Sequence, residues 1–257
     1  MAGTELISSF GRKIFFLYPQ AFIQNQIVAE LAQEEFEVYI IKDEVKLRNI
    51  LKKYADSIVL ISINEGLKES AWEEWVRAVM SDPETKGVSI GILSSVSDDA
   101  LKEKYVDQLK VQCGFTHIKS DTQLLLKTMI MILNGVNAKG RRKFIRALMD
   151  GDNNATVNIP HGGGYVNGII KDISVVGFSC TFEEDPDFTK NSLFSDIQIR
   201  LQSHLLKVEG IIFGSRMDSK EKVYVVIFTQ RVDPSMKSRI RRYIQTTLQS
   251  RMDSELR

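Results

Sequence analysis

Two short segments place charged and hydroxyl side chains at spacings that can grip an anion. In RRKFIR, Arg142 and Arg146 stand four apart, with Arg141 just before them. Further along, DISVVG supplies Asp172, Ser174 and Gly177. A guanidinium donates in a planar fork to two adjacent acceptors such as guanine O6 and N7, stacks on a purine face, or pairs with phosphate. Two of them on one segment can clamp a ligand from two directions. Asp172 offers a carboxylate that can accept from paired N–H donors of a ligand, and Ser174 a short hydroxyl. On a strand, residues two apart project to one face, so Asp172 and Ser174 are expected together. Gly177 would let the backbone turn or approach a ligand where a side chain would collide. Lys143 is at most a phosphate neighbour.

These segments need elements to hold them, and the chain supplies two different grammars. Through residue 133, short apolar runs alternate with helical periodicity. Strands are expected at 14–18, 36–41, 57–63, 88–94 and 115–120. Between them lie helices with apolar residues three and four apart, such as Trp72, Trp75, Val76 and Val79. Asp121 is placed to N-cap the helix at 124–133. Strands alternating with helices imply a parallel, doubly wound sheet covered on both faces. Near Asn134 the pattern changes. NGVNAKG is turn-prone, and the strand-like runs that follow are broken by Gly, Asn and Asp. They predict a small antiparallel β-barrel. A final helix carries Met236, Ile240, Tyr243, Ile244 and Leu248 on one face, which should pack on that barrel. The expected division is 1–136 and 137–257, an α/β domain followed by a β domain.

Composition narrows the partners. The 257 residues are 43% hydrophobic and 26% charged with a net charge of +1, as in a folded globular protein without a general basic coat for nucleic acid. Cys113 and Cys180 lack a CxxC partner and read as reduced packing residues of a cytosolic protein. His117, His161 and His204 are scattered singly, so no metal site is expected. The N-terminus shows no secretory h-region, and no apolar run reaches the length of a membrane span. HGGG at 161–164 lacks the accompanying nucleophile elbow, so hydrolase chemistry is not expected. The basic residues of the last helix read as a solvated face.

The β half resembles the PilZ family, bacterial receptors for cyclic di-GMP. The resemblance rests on RxxxR at Arg142 and Arg146 and on [D/N]xSxxG at Asp172, Ser174 and Gly177, and it extends over 140–248. RxxxR arises about once by chance in such a chain, and the second pattern in about one chain in ten, so their joint occurrence in this order carries the weight. The resemblance implies that the arginine segment wraps the ligand while the DxSxxG strand forms its floor. Arg141 precedes the motif, and in the family a basic residue there accompanies two stacked cyclic di-GMP molecules. The first half resembles the receiver domain of response regulators, but without its chemistry. Tyr18, Pro19 and Gln20 stand where acidic Mg²⁺ ligands are needed, and Ile63 and Asn64 where the phospho-acceptor aspartate should be. Lys119 alone matches.

The expected function is therefore a cytoplasmic, non-catalytic cyclic di-GMP receptor with a pseudo-receiver domain. It takes one ligand or two stacked molecules, needs no cofactor and binds no nucleic acid. Because the arginines lie on the connecting segment, binding should change the interdomain arrangement, which an unidentified protein partner would read in motility, envelope or virulence control. The alternatives are a non-binding interaction scaffold and, more remotely, a nucleic-acid-binding regulator.

Overall fold

The computed structural model describes residues 11–118, 121–149, 155–218 and 221–257. Lys119 lies outside them. Two compact units are present, Met1–Lys143 with Leu248–Arg257, and Phe144–Thr247.

The first unit alternates strand and helix. Its strands are β1 (Lys13–Leu17), β2 (Val38–Ile41), β3 (Ser57–Ser62), β4 (Ser89–Ser94) and β5 (Phe115–His117). They form one parallel sheet in the order β2-β1-β3-β4-β5. The helices are α1 (Val28–Gln33), α2 (Glu44–Lys53), α3 (Glu69–Ser81), α4 (Asp99–Glu103) and α5 (Thr122–Gly135). Two π-helical turns, Ile23–Ile27 and Lys104–Gln108, adjoin α1 and α4. Alternation along each strand builds a core on either face of the sheet. Phe15, Leu17, Val59 and Ile61 meet Leu47, Leu51, Trp72 and Val76 on one side. Ile14, Phe16, Ile58 and Leu60 meet Ile27, Leu31, Met129 and Leu133 on the other. Asp43, Asp98 and Asp121 cap α2, α4 and α5 by accepting N–H bonds three residues on, as the sequence suggests for Asp121.

The second unit is a closed antiparallel barrel. Its strands are β7 (Ala155–His161), β8 (Gly164–Ser174), β9 (Gly177–Phe182), β10 (Leu193–Leu201), β11 (His204–Asp218) and β12 (Glu221–Phe228). They run β8-β7-β10-β11-β12-β9, and β9 returns to pair with β8. A two-residue strand, β6 (Ala147–Leu148), pairs with β8 at Ile173 and Asp172. Inward positions such as Val157, Ile159, Ile199, Val208, Val226 and Cys180 are fully or almost fully buried. Closure leaves the six barrel strands without a free edge along their paired lengths.

The chain finishes in α6 (Pro234–Glu255). Ile240, Tyr243 and Ile244 are buried as its periodicity predicts, and the Tyr243 hydroxyl donates to Met149 Sδ at 3.3 Å. Leu248, expected on the barrel, instead packs with Met252 in the core of the first unit. There Gln249 serves the edge strand β2. Its Oε1 accepts from Ile40 N–H at 2.9 Å, and its Nε2 donates to Ile40 O at 3.0 Å. Glu255 receives bonds from Lys53 and Tyr54. Burial alone places these residues in a core; only contacts between distant segments decide which core.

Candidate functional site

The DISVVG segment folds as a tight hairpin between β8 and β9. Val175 and Val176 form its turn, closed by the pairs Ser174↔Gly177, Ile173↔Phe178 and Asp172↔Ser179. The Ser174 hydroxyl is spent within this turn: it donates to Gly177 O at 3.1 Å and accepts from Val176 N–H at 3.4 Å. Gly177 is required by crowding from behind. A Cβ there would lie 2.2 Å from Val226 O of β12, too close for any side chain. Close approach of two barrel strands thus requires glycine at position 177.

Asp172 is the focus of the site. A register shift between Ile170 and Asp172 interrupts the β8–β9 ladder just before it. Its carboxylate is nearly buried and held at both oxygens. Oδ1 accepts from Arg146 Nη1 at 2.9 Å, and Oδ2 accepts from the Ser179 hydroxyl. Arg146 reaches it from the residue preceding β6, whose pairing with β8 brings the two together. The Arg146 side chain is 37% exposed and that of Asp172 11%. One guanidinium nitrogen, Nη1, is thus occupied by the carboxylate, while the side chain as a whole keeps more than a third of its surface exposed. Burial, with the same carboxylate adding, pushes the neighbouring Cys180 thiol upward, so that cysteine is a packing residue.

Of the sequence-predicted residues, Arg146 and Asp172 are in direct contact, and Ser174 and Gly177 shape the turn beside them. Arg141 and Arg142 are exposed and belong to the end of the first unit, whereas Arg146 belongs to the second. The residue missed from sequence is Ser179. A signal existed: once SVVG is read as a two-residue hairpin turn, pairing puts position 179 opposite Asp172.

In the first unit, the place where a receiver holds its acidic residues is filled differently. Tyr18 takes a left-handed conformation at φ 50°, and its hydroxyl donates to Glu44 at 2.8 Å. Burial, with Glu44 adding, pushes that hydroxyl up to about 12. Its ring lies over Gly66, where a Cβ would come within 2.9 Å, and meets Trp72 edge-on at 5.9 Å. Asn64 Oδ1 accepts from Ser95 N–H at 2.7 Å, tying the end of β3 to the loop after β4. Among the described residues, no three His, Cys, Asp or Glu side chains cluster as metal ligands.

Fold and motif together define a receiver-like α/β unit joined to a small closed β-barrel that carries an arginine-bearing lead-in and a D-x-S-x-x-G hairpin. Residues 140–246 match the PilZ domain family model. No curated protein matches it in sequence. The chain is similar to YcgR from Escherichia coli, solved in complex with c-di-GMP, at 13% identity and a TM-score of 0.39, covering 45% of this chain and 50% of that one. It is also similar to the Bacillus subtilis inhibitor of motility MotI, at 15% identity and a TM-score of 0.36, covering 46% and 53%. A response regulator from Desulfuromonas acetoxidans is 14% identical with a TM-score of 0.40, covering 49% of this chain and 98% of that one. The chain thus spans about half the length of the first two. No described helix is long and apolar enough to cross a membrane.

Proposed function

We propose that this protein is a cyclic di-GMP receptor without catalytic activity of its own, acting in the cytoplasm. The observation that carries the reading is the Arg146–Asp172 pair, in which a half-exposed guanidinium is presented beside the DxSxxG hairpin of a PilZ domain. In this reading Arg141, Arg142 and Arg146 neutralise the phosphates and fork onto guanine, while Asp172, Ser174 and Gly177 form the platform. Asp172 contributes through its carboxylate; Ser174 and Gly177 contribute by fixing the turn. Arg141 supports two stacked ligand molecules per chain. Because the arginine segment also joins residues 1–136 to 137–257, drawing it onto an anion resets the tether between the halves. That change would be read by a protein partner in motility, envelope or virulence control. The tied Asn64 and the Tyr18 plug favour a docking role for the receiver-like unit over phosphoryl transfer.

Isothermal titration of the full chain with cyclic di-GMP tests the proposal. Saturable binding at micromolar concentration with two molecules per chain is expected. No uptake at that concentration would reduce the protein to a scaffold, and uptake of a DNA panel instead would favour a nucleic-acid regulator.

A further inference from the structure

We propose that Ser179 is a positioning residue for nucleotide recognition, setting through Asp172 the direction in which Arg146 presents its guanidinium. The inference rests on reading this site as a cyclic di-GMP receptor. Ser179 lies outside both sequence motifs, is 1% exposed, and faces Asp172 across the β8–β9 ladder. An aspartate carboxylate turns readily about its last bond, a broad two-fold torsion. The Ser179 hydroxyl removes that freedom by holding Oδ2, which leaves Oδ1 aimed at Arg146 Nη1, 2.9 Å away. A guanidinium has five N–H donors in a rigid planar fork, so anchoring one narrows the directions open to the others. The remaining donors of Arg146 are then ordered before the ligand arrives, and binding does not have to supply the entropy cost of ordering them. A hydroxyl can donate to a carboxylate or accept from an amide, so it serves either residue that the [D/N]xSxxG pattern admits at this position.

The test is a double-mutant cycle on the full chain, read by calorimetric titration with cyclic di-GMP. Ser179→Ala should weaken binding about three- to tenfold, and Ser179→Thr should restore it. In an Arg146→Ala background, Ser179→Ala should cost clearly less than in the wild type, because the guanidinium it orients through Asp172 is gone. Side-chain NMR of arginine guanidinium nitrogens gives a readout without ligand. An Arg146 Nη signal with restricted rotation is expected in the wild type and should collapse in Ser179→Ala. Ser179→Cys keeps the volume while replacing the hydroxyl with a weak donor, and supplies the same comparison should the alanine variant fail to fold. Equal losses in both backgrounds, or an unchanged Arg146 signal, would overturn the positioning role. A wild-type protein that takes up no cyclic di-GMP would overturn the receptor reading itself; the NMR comparison would still decide whether Ser179 orients Arg146.

Discussion

Replacing Arg146 with alanine removes one of the two bonds that hold the Asp172 carboxylate. Exposed ion pairs are worth about 0–1 kcal/mol, whereas stripping one partner from a fully buried pair costs about 3–5 kcal/mol. Here the Asp172 side chain is 11% exposed and the Arg146 side chain 37%, and Ser179 still serves Oδ2. The expected cost to the second unit is therefore intermediate, about 1–2 kcal/mol. With a urea dependence of about 1–2 kcal/mol/M for a unit of this size, the unfolding midpoint should fall by roughly 1 M. Both tryptophans, Trp72 and Trp75, lie in the first unit, so their fluorescence reports that unit, while the barrel is followed by the NMR amide signals of its strands. The tryptophan midpoint should stay in place while the barrel midpoint moves. The same variant should lose about 1–3 kcal/mol of cyclic di-GMP binding, tenfold to a hundredfold in affinity. An unmoved barrel midpoint would refute the energetic weight given to the pair, and an unmoved affinity would refute its place in recognition.

Arg141→Ala should lower the bound cyclic di-GMP from two molecules per chain to one by calorimetry; a wild-type stoichiometry of one would contradict the stacked pair. Gly177→Ala forces β9 away from Val226 O and should cost the barrel about 1–3 kcal/mol in urea unfolding; an unaffected midpoint would show that the strands separate freely there. Bonds from Lys222 and then Tyr224 lower Asp185 from 3.8 to about 2. A carboxyl depressed in the folded state adds stability above its unfolded value, and that contribution disappears as the pH falls from about 4 towards 2. Acid unfolding of Asp185→Asn should lack this component; identical pH profiles for the variant and the wild type would exclude it.

The first unit is readable from sequence because each strand and helix reports burial through local periodicity. Ile14 to Leu17 alternate between two cores, and Trp72, Trp75, Val76 and Val79 sit on one helical face whatever lies far away in the chain. The motif residues are readable for a similar reason, since a short hairpin confines DISVVG. What escapes is non-local. β6 is two residues long and is defined only by its partner on β8. The pairing of Arg146 with Asp172, and the hydroxyl of Ser179 beneath it, depend on ladder register rather than composition. Leu248 obeys the helical period, yet its core is chosen by residues of the first sheet and its helices, far earlier in the chain. Gly177 shows the converse: its identity is legible, but the backbone that excludes a side chain belongs to β12.

A side-chain amide and a peptide group carry the same donor and acceptor at nearly the same spacing. Gln249 accordingly acts as a one-residue substitute for a neighbouring strand on the rim of the first sheet. The two partners are separated by 209 positions, so this seal forms only after the whole second unit between them has been synthesised. Until then the newly made first unit carries a naked rim at Ile40, and it is during synthesis, rather than after it, that stray strand-to-strand pairing has its opening.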